Sequence, residues 1–336
     1  MLIREELEIR EKETLSPFAC LSADSRGRSR PEEPCDIRTC YMRDRDRIVH
    51  SKAFRRLKDK TQVFLSPQGD HYRTRMMHTL EVSQTARTVA RCLRLNEDLV
   101  EAIALGHDLG HTPFGHAGER ALNDVSPDGF VHSAQSLRIV DSLEKEGRGL
   151  NLTAEVRDGI LNHGTKDQPS TLEGQVVRLC DKIAYVHHDT DDGIRAGLIS
   201  EGDIPASLRQ LLGENTRARL NTFIHDIVRE SRGQDHISMS PLIGEALFDM
   251  RDFMFRHLYT NPAAKSEEIK ADRMLKQLYT YYTTYPETMG PEFFRMITEG
   301  GEKTERVVCD YISGMTDQYS IARYREIFVP RSWSKY

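Results

Sequence analysis

Hydrophobic residues recur along most of this chain at the three- and four-residue spacing that places them on one face of an α-helix. One such segment spans residues 74–95. A second spans residues 97–109, where Gly110 and Pro113 end the pattern. We therefore predict two consecutive helices in the first third of the chain.

The helical spacing continues to the C-terminal third. It is found in residues 117–124, 133–146, 153–164, 172–197, 241–259 and 267–285. The alternating pattern of a half-buried strand is nearly absent, apart from one short candidate pair around residues 61–65 and 71–73. The chain is therefore predicted to be all-α, without internal repeats.

Three regions follow from this pattern. Residues 1–36 include the run SRGRSRPEEP and are predicted to form an irregular N-terminal arm. Residues 37–195 are predicted to form a helical catalytic core. Residues 196–336 are predicted to form a C-terminal helical region that packs on the core as a single structural unit.

Composition narrows the class of protein. Of the 336 residues, 38% are hydrophobic and 29% are charged, which is typical of a globular chain and argues against disorder. The N-terminus is charged and no later run approaches the ~20 apolar residues that span a bilayer, so we expect a cytoplasmic protein without membrane contact. The six cysteines include no CxxC pair, which indicates reduced thiols.

Positive charge is concentrated in residues 43–60, where eight Lys or Arg accompany three Asp, although the whole chain carries a net charge of −5. Residues 44–60 are predicted to form one amphipathic helix. Its charge indicates either an anion-facing surface for phosphate or nucleic acid or a solvated face crossed by ion pairs. Taken alone, the run does not decide between these alternatives.

Candidate chemistry is densest in residues 104–120, ALGHDLGHTPFGHAGER. This segment contains three histidines and an aspartate, followed by one glutamate and one arginine at its end. Imidazoles titrate near neutral pH, and each buried one needs a hydrogen-bond partner or a ligand. The crowding therefore predicts a metal site or an acid/base site.

Four residues are candidate metal ligands. His107 and Asp108 are adjacent at the end of one predicted helix, and an antiparallel partner would bring His78 alongside them. Asp181 lies in an otherwise apolar helical turn, where an unpaired charge would cost several kcal/mol. Imidazole and carboxylate without thiolate favour a divalent metal such as Mn, Fe, Co, Ni or Zn over a structural zinc site, and Mg also stays open.

The order of these ligands resembles that of the HD phosphohydrolase superfamily: His, then His-Asp about thirty residues on, then Asp more than seventy residues later. Within it, the chain is similar to the deoxynucleoside triphosphate triphosphohydrolases, or dGTPase-like proteins, in residues 43–64, 73–87, 104–119, 177–189 and 312–320. The resemblance implies an HD-domain helical bundle with a C-terminal helical extension, and a homo-oligomer such as a hexamer.

The activity implied by the resemblance is hydrolysis of a dNTP to a deoxynucleoside and inorganic tripolyphosphate. A metal would make a water more acidic, and the departing 5′-oxygen would need a proton from a general acid. His116 matches the family's catalytic histidine. Glu119, three residues later, would orient it, and His132 matches a position that supports this pair.

Further positions match substrate contacts of the family. Arg75 and Lys182 would contact phosphates, and His111 would either line the pocket or cap its loop. Tyr185 would stack against the deoxyribose and leave no room for a 2′-hydroxyl. The remaining candidates are Gln62 for the 3′-hydroxyl, Asp189 for the sugar, and Tyr311 and Asp317 for the pocket wall.

Two alternatives compete with this interpretation. Another HD phosphohydrolase, such as a cyclic-nucleotide phosphodiesterase, a 5′-nucleotidase or a guanosine tetraphosphate hydrolase, would keep the four ligands but not His116, Glu119 and Tyr185. The other alternative is a regulator that binds nucleotide or single-stranded DNA. The basic segment of residues 43–60 favours this alternative. In the resemblance, the same segment lies beside the active site and at subunit contacts, where Arg55 and Arg56 would contact phosphate, a dNTP effector or a neighbouring chain.

Overall fold

The computed structural model of the chain describes residues 1–62, 73–164, 168–259 and 262–331. Its helices are α1 (Ile3–Thr14), α2 (Cys40–Val49), α3 (Lys52–Arg56), α4 (Arg75–Leu93), α5 (Glu97–Gly106), α6 (Gly115–Val125), α7 (His132–Arg138), α8 (Glu144–Gly147), α9 (Ala154–Leu161), α10 (Leu172–Arg195), α11 (Ala206–Leu212), α12 (Thr216–Ser231), α13 (Pro241–Met254), α14 (Pro262–Thr284), α15 (Pro291–Thr298), α16 (Thr304–Ser313) and α17 (Asp317–Phe328). Short turns of 3₁₀ or π-helix complete the helical part.

The all-α prediction is confirmed. Within the described residues, β pairing is limited to isolated bridges between Arg28 and Thr153 and between Thr61 and Thr74. The second bridge belongs to the predicted strand pair, of which residues 63–72 lie outside the described part. No helix in the described ranges is both long and apolar enough to cross a lipid bilayer.

Helices α4 and α5 form the pair predicted from the hydrophobic spacing. The chain reverses between them at Arg94, whose φ of 57° and ψ of 40° are left-handed. The side chain of Asn96 then accepts hydrogen bonds from the N–H groups of Asp98 and Leu99, which caps the start of α5. This tight reversal brings the start of α4 beside the end of α5.

Two hydrophobic clusters hold the helices together. The larger one surrounds α4, α5, α9 and α10, and Ile103 and Val177 are fully buried in it. The smaller one packs Leu122 of α6 against Leu275 and Val308 of the C-terminal helices. Each fully buried side chain of this size contributes about 1.5–3 kcal/mol. Helix α6 is therefore fixed by apolar contacts with the C-terminal region.

The prediction of an irregular arm over residues 1–36 is wrong for Ile3–Thr14, which form α1. Charged residues of this run support the helix through pairs one turn apart, such as Arg4 with Glu8 at 2.7 Å. The rest of the arm is tied to the core by a buried carboxylate: Glu155 accepts the Ser25 hydroxyl and the Arg26 N–H.

The basic segment does not form the single helix predicted for residues 44–60. Helix α2 ends at Val49, and α3 begins after Ser51, whose hydroxyl oxygen accepts the N–H of Phe54 at 3.1 Å. Serine in this position competes with helix continuation because its side chain satisfies a backbone donor of the next helix.

Ion pairs account for much of the positive charge in α2. Arg43 and Arg47 both contact Glu32 of the arm, at 2.9 and 2.6 Å. Arg45 contacts Asp98 and Glu101 of α5 at 3.0 and 3.3 Å. For these three arginines, the alternative of a face crossed by ion pairs describes the structure.

Candidate functional site

The end of α5 presents the first two predicted ligands. His107 is fully buried, and its Nδ1 lies 2.6 Å from the carbonyl oxygen of Ala104. Because a carbonyl only accepts, Nδ1 carries a proton, and Nε2 is the nitrogen that can offer a lone pair to a metal once it is deprotonated. Among the described residues this Nε2 has no hydrogen-bond partner. A buried, unpartnered imidazole nitrogen of this kind is suited to a metal ion.

The four predicted ligands converge around this nitrogen. His107 Nε2 lies 3.6 Å from Asp108 Oδ1 and 3.7 Å from Asp181 Oδ1, and His78 Nε2 lies 3.0 Å from the same Asp181 oxygen. Ligand atoms about 2.1 Å from one ion are separated by distances of this order. His78, His107 and Asp108 offer ligand atoms that all lie within 4.8 Å of one another and could hold a divalent metal, and Asp181 borders this group.

The electrostatics of the cluster suit a cation. Burial raises the pKa values of Asp108 and Asp181, but the neighbouring histidines, together with Arg75 near Asp108, outweigh it and lower both well below their usual range. For the imidazole of His107, burial lowers the pKa, but the two carboxylates outweigh burial and raise it to about 9. In the protein alone an imidazolium balances the carboxylates, and a divalent ion would supply that positive charge instead.

Close packing shapes the loop between α5 and α6. A Cβ on Gly110 would lie 2.2 Å from the backbone nitrogen of Ser136, so this position needs glycine. Phe114 and Gly115 both have left-handed backbone angles, with φ of 62° and 55°. This turn starts α6 so that His116 occupies its first turn.

A chain of hydrogen bonds runs from His116 into the interior. His116 Nδ1 lies 3.3 Å from Glu119 Oε2, and His132 Nδ1 lies 2.8 Å from Glu119 Oε1. The other nitrogen of His132 lies 3.1 Å from Nε2 of His163, a residue at the end of α9. The predicted trio is thus brought together, and His163 is added as a third histidine.

The charge state of this chain is set by its contacts. Burial raises the pKa of the Glu119 carboxyl, but hydrogen bonds from His116 and His132 outweigh this and lower it well below its usual range. Burial and the neighbouring His107 lower the pKa of His163 to about 4. Near neutral pH, Glu119 is therefore an anion and His163 is a neutral imidazole.

One cavity of about 350 Å³ is lined by the candidate ligands His78, Asp108 and Asp181 and by His116 and His132 of the trio. This volume lies within the range of small-molecule sites. The predicted site residues that line it are Gln62, Arg75, His78, Asp108, His111, His116, His132, Asp181, Lys182 and Tyr185. An adjoining cavity of about 570 Å³ shares Gln62, His116 and Tyr185 and extends to Glu119.

Cationic groups stand beside the ligands in this cavity. Arg75 donates to Asp108 Oδ2 at 2.5 Å and is only 2% exposed. Burial lowers the pKa of Lys182 to about 8, and Arg178 acts in the same direction.

Burial and Arg75 lower the pKa of His111 well below its usual value, and its ring stacks on that of His132 with centroids 4.2 Å apart.

Three predicted substrate residues lie outside the cavity linings. Asp189 is fully buried one turn beyond Tyr185, and its contact with the sugar stays a prediction. Tyr311 packs edge-on against Tyr282 in the smaller hydrophobic cluster, 4.9 Å between centroids. Its ring completes the contact between the C-terminal helices there, and its place in the pocket wall stays a prediction.

Asp317 also has a different role from the predicted pocket contact. Its side chain is buried, and it accepts hydrogen bonds from the N–H of Phe114 and from the N–H and hydroxyl of Thr61. Both carboxylate oxygens are thus used by the protein itself. These contacts hold the loop before α6, and a substrate contact by Asp317 stays a prediction.

The sequence pattern missed two residues of the site. His163 lies in the predicted helical segment 153–164, where it was not distinguished from core positions. Like His107, it lies at a helix end with Nδ1 close to the carbonyl oxygen three residues earlier. Arg251 lines both cavities, on the helix predicted over residues 241–259. Its spacing placed it with the charged surface of that helix, so no signal in the sequence pointed to it.

Two protein families match the chain, and both are consistent with a helical phosphohydrolase fold. The HD domain family matches residues 75–186, and the phosphohydrolase-associated domain family matches residues 237–326. The first match begins at Arg75 and includes all four candidate ligands.

Named relatives cover nearly the whole chain. A deoxyguanosinetriphosphate triphosphohydrolase-like protein of Caldanaerobacter subterraneus subsp. tengcongensis is 55% identical, covering 99% of this chain and 98% of the relative. Proteins of the same name from Desulfatibacillum aliphaticivorans and Clostridium perfringens are each 50% identical, covering 98% of this chain and 99% of the relative. The chain therefore belongs to the deoxyguanosinetriphosphate triphosphohydrolase-like family of HD-domain phosphohydrolases.

Proposed function

We propose that this protein hydrolyses deoxynucleoside triphosphates to deoxynucleoside and inorganic tripolyphosphate. The observation that carries the proposal is that the candidate ligands His78, Asp108 and Asp181 line the same cavity as His116, whose Nδ1 lies 3.3 Å from Glu119. A phosphoester with a poor leaving group needs both parts: positive charge beside the phosphorus and a proton donor for the departing oxygen.

The triphosphate would lie on the cationic side of the cavity. Arg75 has a guanidinium that can reach a phosphate oxygen while it keeps its contact with Asp108, and Lys182 lies one residue after the ligand Asp181. A divalent ion held by His78, His107, Asp108 and Asp181 would supply Lewis acidity toward the α-phosphate and toward water.

The leaving 5′-oxygen would face His116. A 5′-alkoxide is strongly basic, so the bond breaks readily only if a proton arrives at that oxygen. Glu119 accepts from Nδ1 of His116, which directs the Nε2 edge of the ring away from the carboxylate. The proton on Nε2 would pass to the 5′-oxygen as the bond to phosphorus breaks.

Tyr185 would give the preference for deoxyribose. The ring centroids of Tyr185 and His116 are 6.2 Å apart. With the 5′-oxygen at His116, the ring of Tyr185 would lie beside the attached sugar. An aromatic ring against C2′ leaves no space for a hydroxyl group. Gln62 lines both cavities next to these residues and is the candidate for the 3′-hydroxyl.

Separation of products by chromatography tests the proposal. The protein would be incubated with each dNTP, singly and in mixtures, with Mn²⁺, Co²⁺ or Mg²⁺. Deoxynucleoside and tripolyphosphate are expected. Monophosphate with pyrophosphate would favour another HD phosphohydrolase, and absence of product in every mixture would favour a nucleotide- or DNA-binding regulator. The homo-oligomer, the dNTP effector and single-stranded DNA binding stay predictions from the resemblance.

A further inference from the structure

His163 ends the hydrogen-bond chain at its buried side. The residue is 2% exposed, and its Nδ1 lies 2.7 Å from the carbonyl oxygen of Ile160. The carbonyl only accepts, so Nδ1 carries a proton and Nε2 is the nitrogen that can accept. This nitrogen lies 3.1 Å from Nε2 of His132, which must therefore be the donor.

His132 is consequently held at both ends of its ring. Its Nδ1 and its backbone N–H both contact Glu119 Oε1, each at 2.8 Å. Because both donors use the same carboxylate oxygen, the other oxygen is left for His116. The direction of the Glu119 carboxylate thus depends on where the ring of His132 lies.

His116 needs such support because half of its side chain, 50%, is exposed. Ion pairs at exposed positions contribute only about 0–1 kcal/mol and do not hold long side chains in one geometry. The contact of 3.3 Å between His116 and Glu119 is too weak to orient the ring by itself. The orientation of the His116 ring therefore depends on Glu119 and on the buried residues that hold Glu119.

We propose that His163 is a positioning residue for the proton donor: it accepts a hydrogen bond from His132, which fixes Glu119 and through it the ring of His116. The inference rests on the proposed function, in which His116 is the donor. His163 also lies 5.0 Å from the ring of His107, so its effect on the proton donor must be separated from an effect on the metal site.

Two substitutions at His163 separate the hydrogen bond from packing. In His163→Gln the amide oxygen can accept from His132 while the amide nitrogen donates to Ile160, whereas His163→Leu fills the space without an acceptor. We expect His163→Leu to lower kcat about 10- to 100-fold with KM changed by less than about threefold. His163→Gln should stay within about threefold of the wild-type kcat, and both variants should bind as much metal as the wild type.

A double-mutant cycle identifies the route of the effect. If His163 acts through His116, then His163→Leu should change the residual kcat of a His116→Ala protein by less than about threefold. The same 10- to 100-fold loss in that background would overturn the proposal, as would equal damage by Gln and Leu or loss of metal from the Leu variant.

A measurement without substrate keeps this inference distinct from the proposed activity. Absence of dNTP hydrolysis by the wild-type protein would remove the proposed function, and with it the role of His163 in that reaction. The ¹⁵N NMR spectrum of the histidine rings then still reports whether the hydrogen-bond chain exists. We expect His163 with its proton on Nδ1, whereas a proton on Nε2 would show that it does not accept from His132.

Discussion

Asp317 accepts the backbone N–H of Phe114 at 3.0 Å, although 203 positions separate the two residues in the chain. Phe114 has left-handed backbone angles, which for a residue other than glycine cost about 1–3 kcal/mol. The same carboxylate accepts from Thr61. The start of the C-terminal helix α17 therefore fixes the turn that places His116 in the cavity.

Replacing Asp317 tests this connection. Asp317→Ala leaves two buried N–H groups and a hydroxyl without their acceptor, at about 1–3 kcal/mol for each unsatisfied group. We expect the free energy of unfolding to fall by about 3–5 kcal/mol in urea denaturation, and kcat to fall because the turn at Phe114 relaxes. Asp317→Asn retains one acceptor and should be less affected. Wild-type stability and kcat in the alanine variant would contradict the role.

The metal ligands and the proton donor can be separated by a matched pair of substitutions. Asp108→Ala should lose bound metal, measured by elemental analysis, because it removes one of two carboxylates and leaves Arg75 beside the ligands. His116→Ala should keep its metal and its nucleotide affinity while kcat falls about 10²- to 10⁴-fold. Normal turnover by His116→Ala would remove its assignment as the acid.

Sugar discrimination should depend on the ring of Tyr185. Tyr185→Ala opens space beside the sugar, so the ratio of kcat/KM for a dNTP to that for the matching ribonucleotide should fall about tenfold or more. Tyr185→Phe keeps the ring and should preserve the ratio. An unchanged ratio in the alanine variant would mean that another group excludes the 2′-hydroxyl.

Stability should depend on pH through Lys60, whose ammonium contacts the carbonyl oxygens of His111 and Ser313. Burial lowers its pKa to about 7, and Arg56 and Arg75 act in the same direction. In the unfolded chain a lysine titrates near pH 10.4, so unfolding takes up a proton between about pH 7 and pH 10.4.

The free energy of unfolding of the wild type should therefore rise with pH in that window, relative to Lys60→Met, by about 1.4 kcal/mol per pH unit. This gain in the free energy of unfolding is fully present above about pH 10.4. It decreases as the pH falls and is lost once the pH has fallen through about 7. Urea denaturation of both proteins at several pH values gives the difference. Parallel curves between about pH 7.5 and 9.5 would contradict a lowered pKa of Lys60.

The helices and the approach of His78 to His107 and Asp108 could be predicted from the sequence because both follow from local spacing. The apolar stripes of α4 and α5 are long and regular, and Gly110 ends the second where His107 and Asp108 must leave the helix. The antiparallel packing of two consecutive helices then brings His78 to the same point. Little beyond the sequence order was needed for this part of the site.

Contacts between distant segments could not be predicted in this way. Asp317 and Phe114, or His163 and His132, have no fixed sequence relationship, and their pairing depends on how α7, α9 and α17 pack. The break at Ser51 was missed for a related reason: a polar residue between two apolar stripes can lie on a helix or cap the next one.

The most direct test of the central claim is mass spectrometry of the products formed from a dNTP in H₂¹⁸O. Attack of water at the α-phosphorus, with release of the 5′-oxygen, predicts one ¹⁸O atom in the tripolyphosphate and an unlabelled deoxynucleoside. Label in the deoxynucleoside, or a labelled monophosphate or pyrophosphate in place of these products, would contradict the assignment of His116 as the donor to the 5′-oxygen.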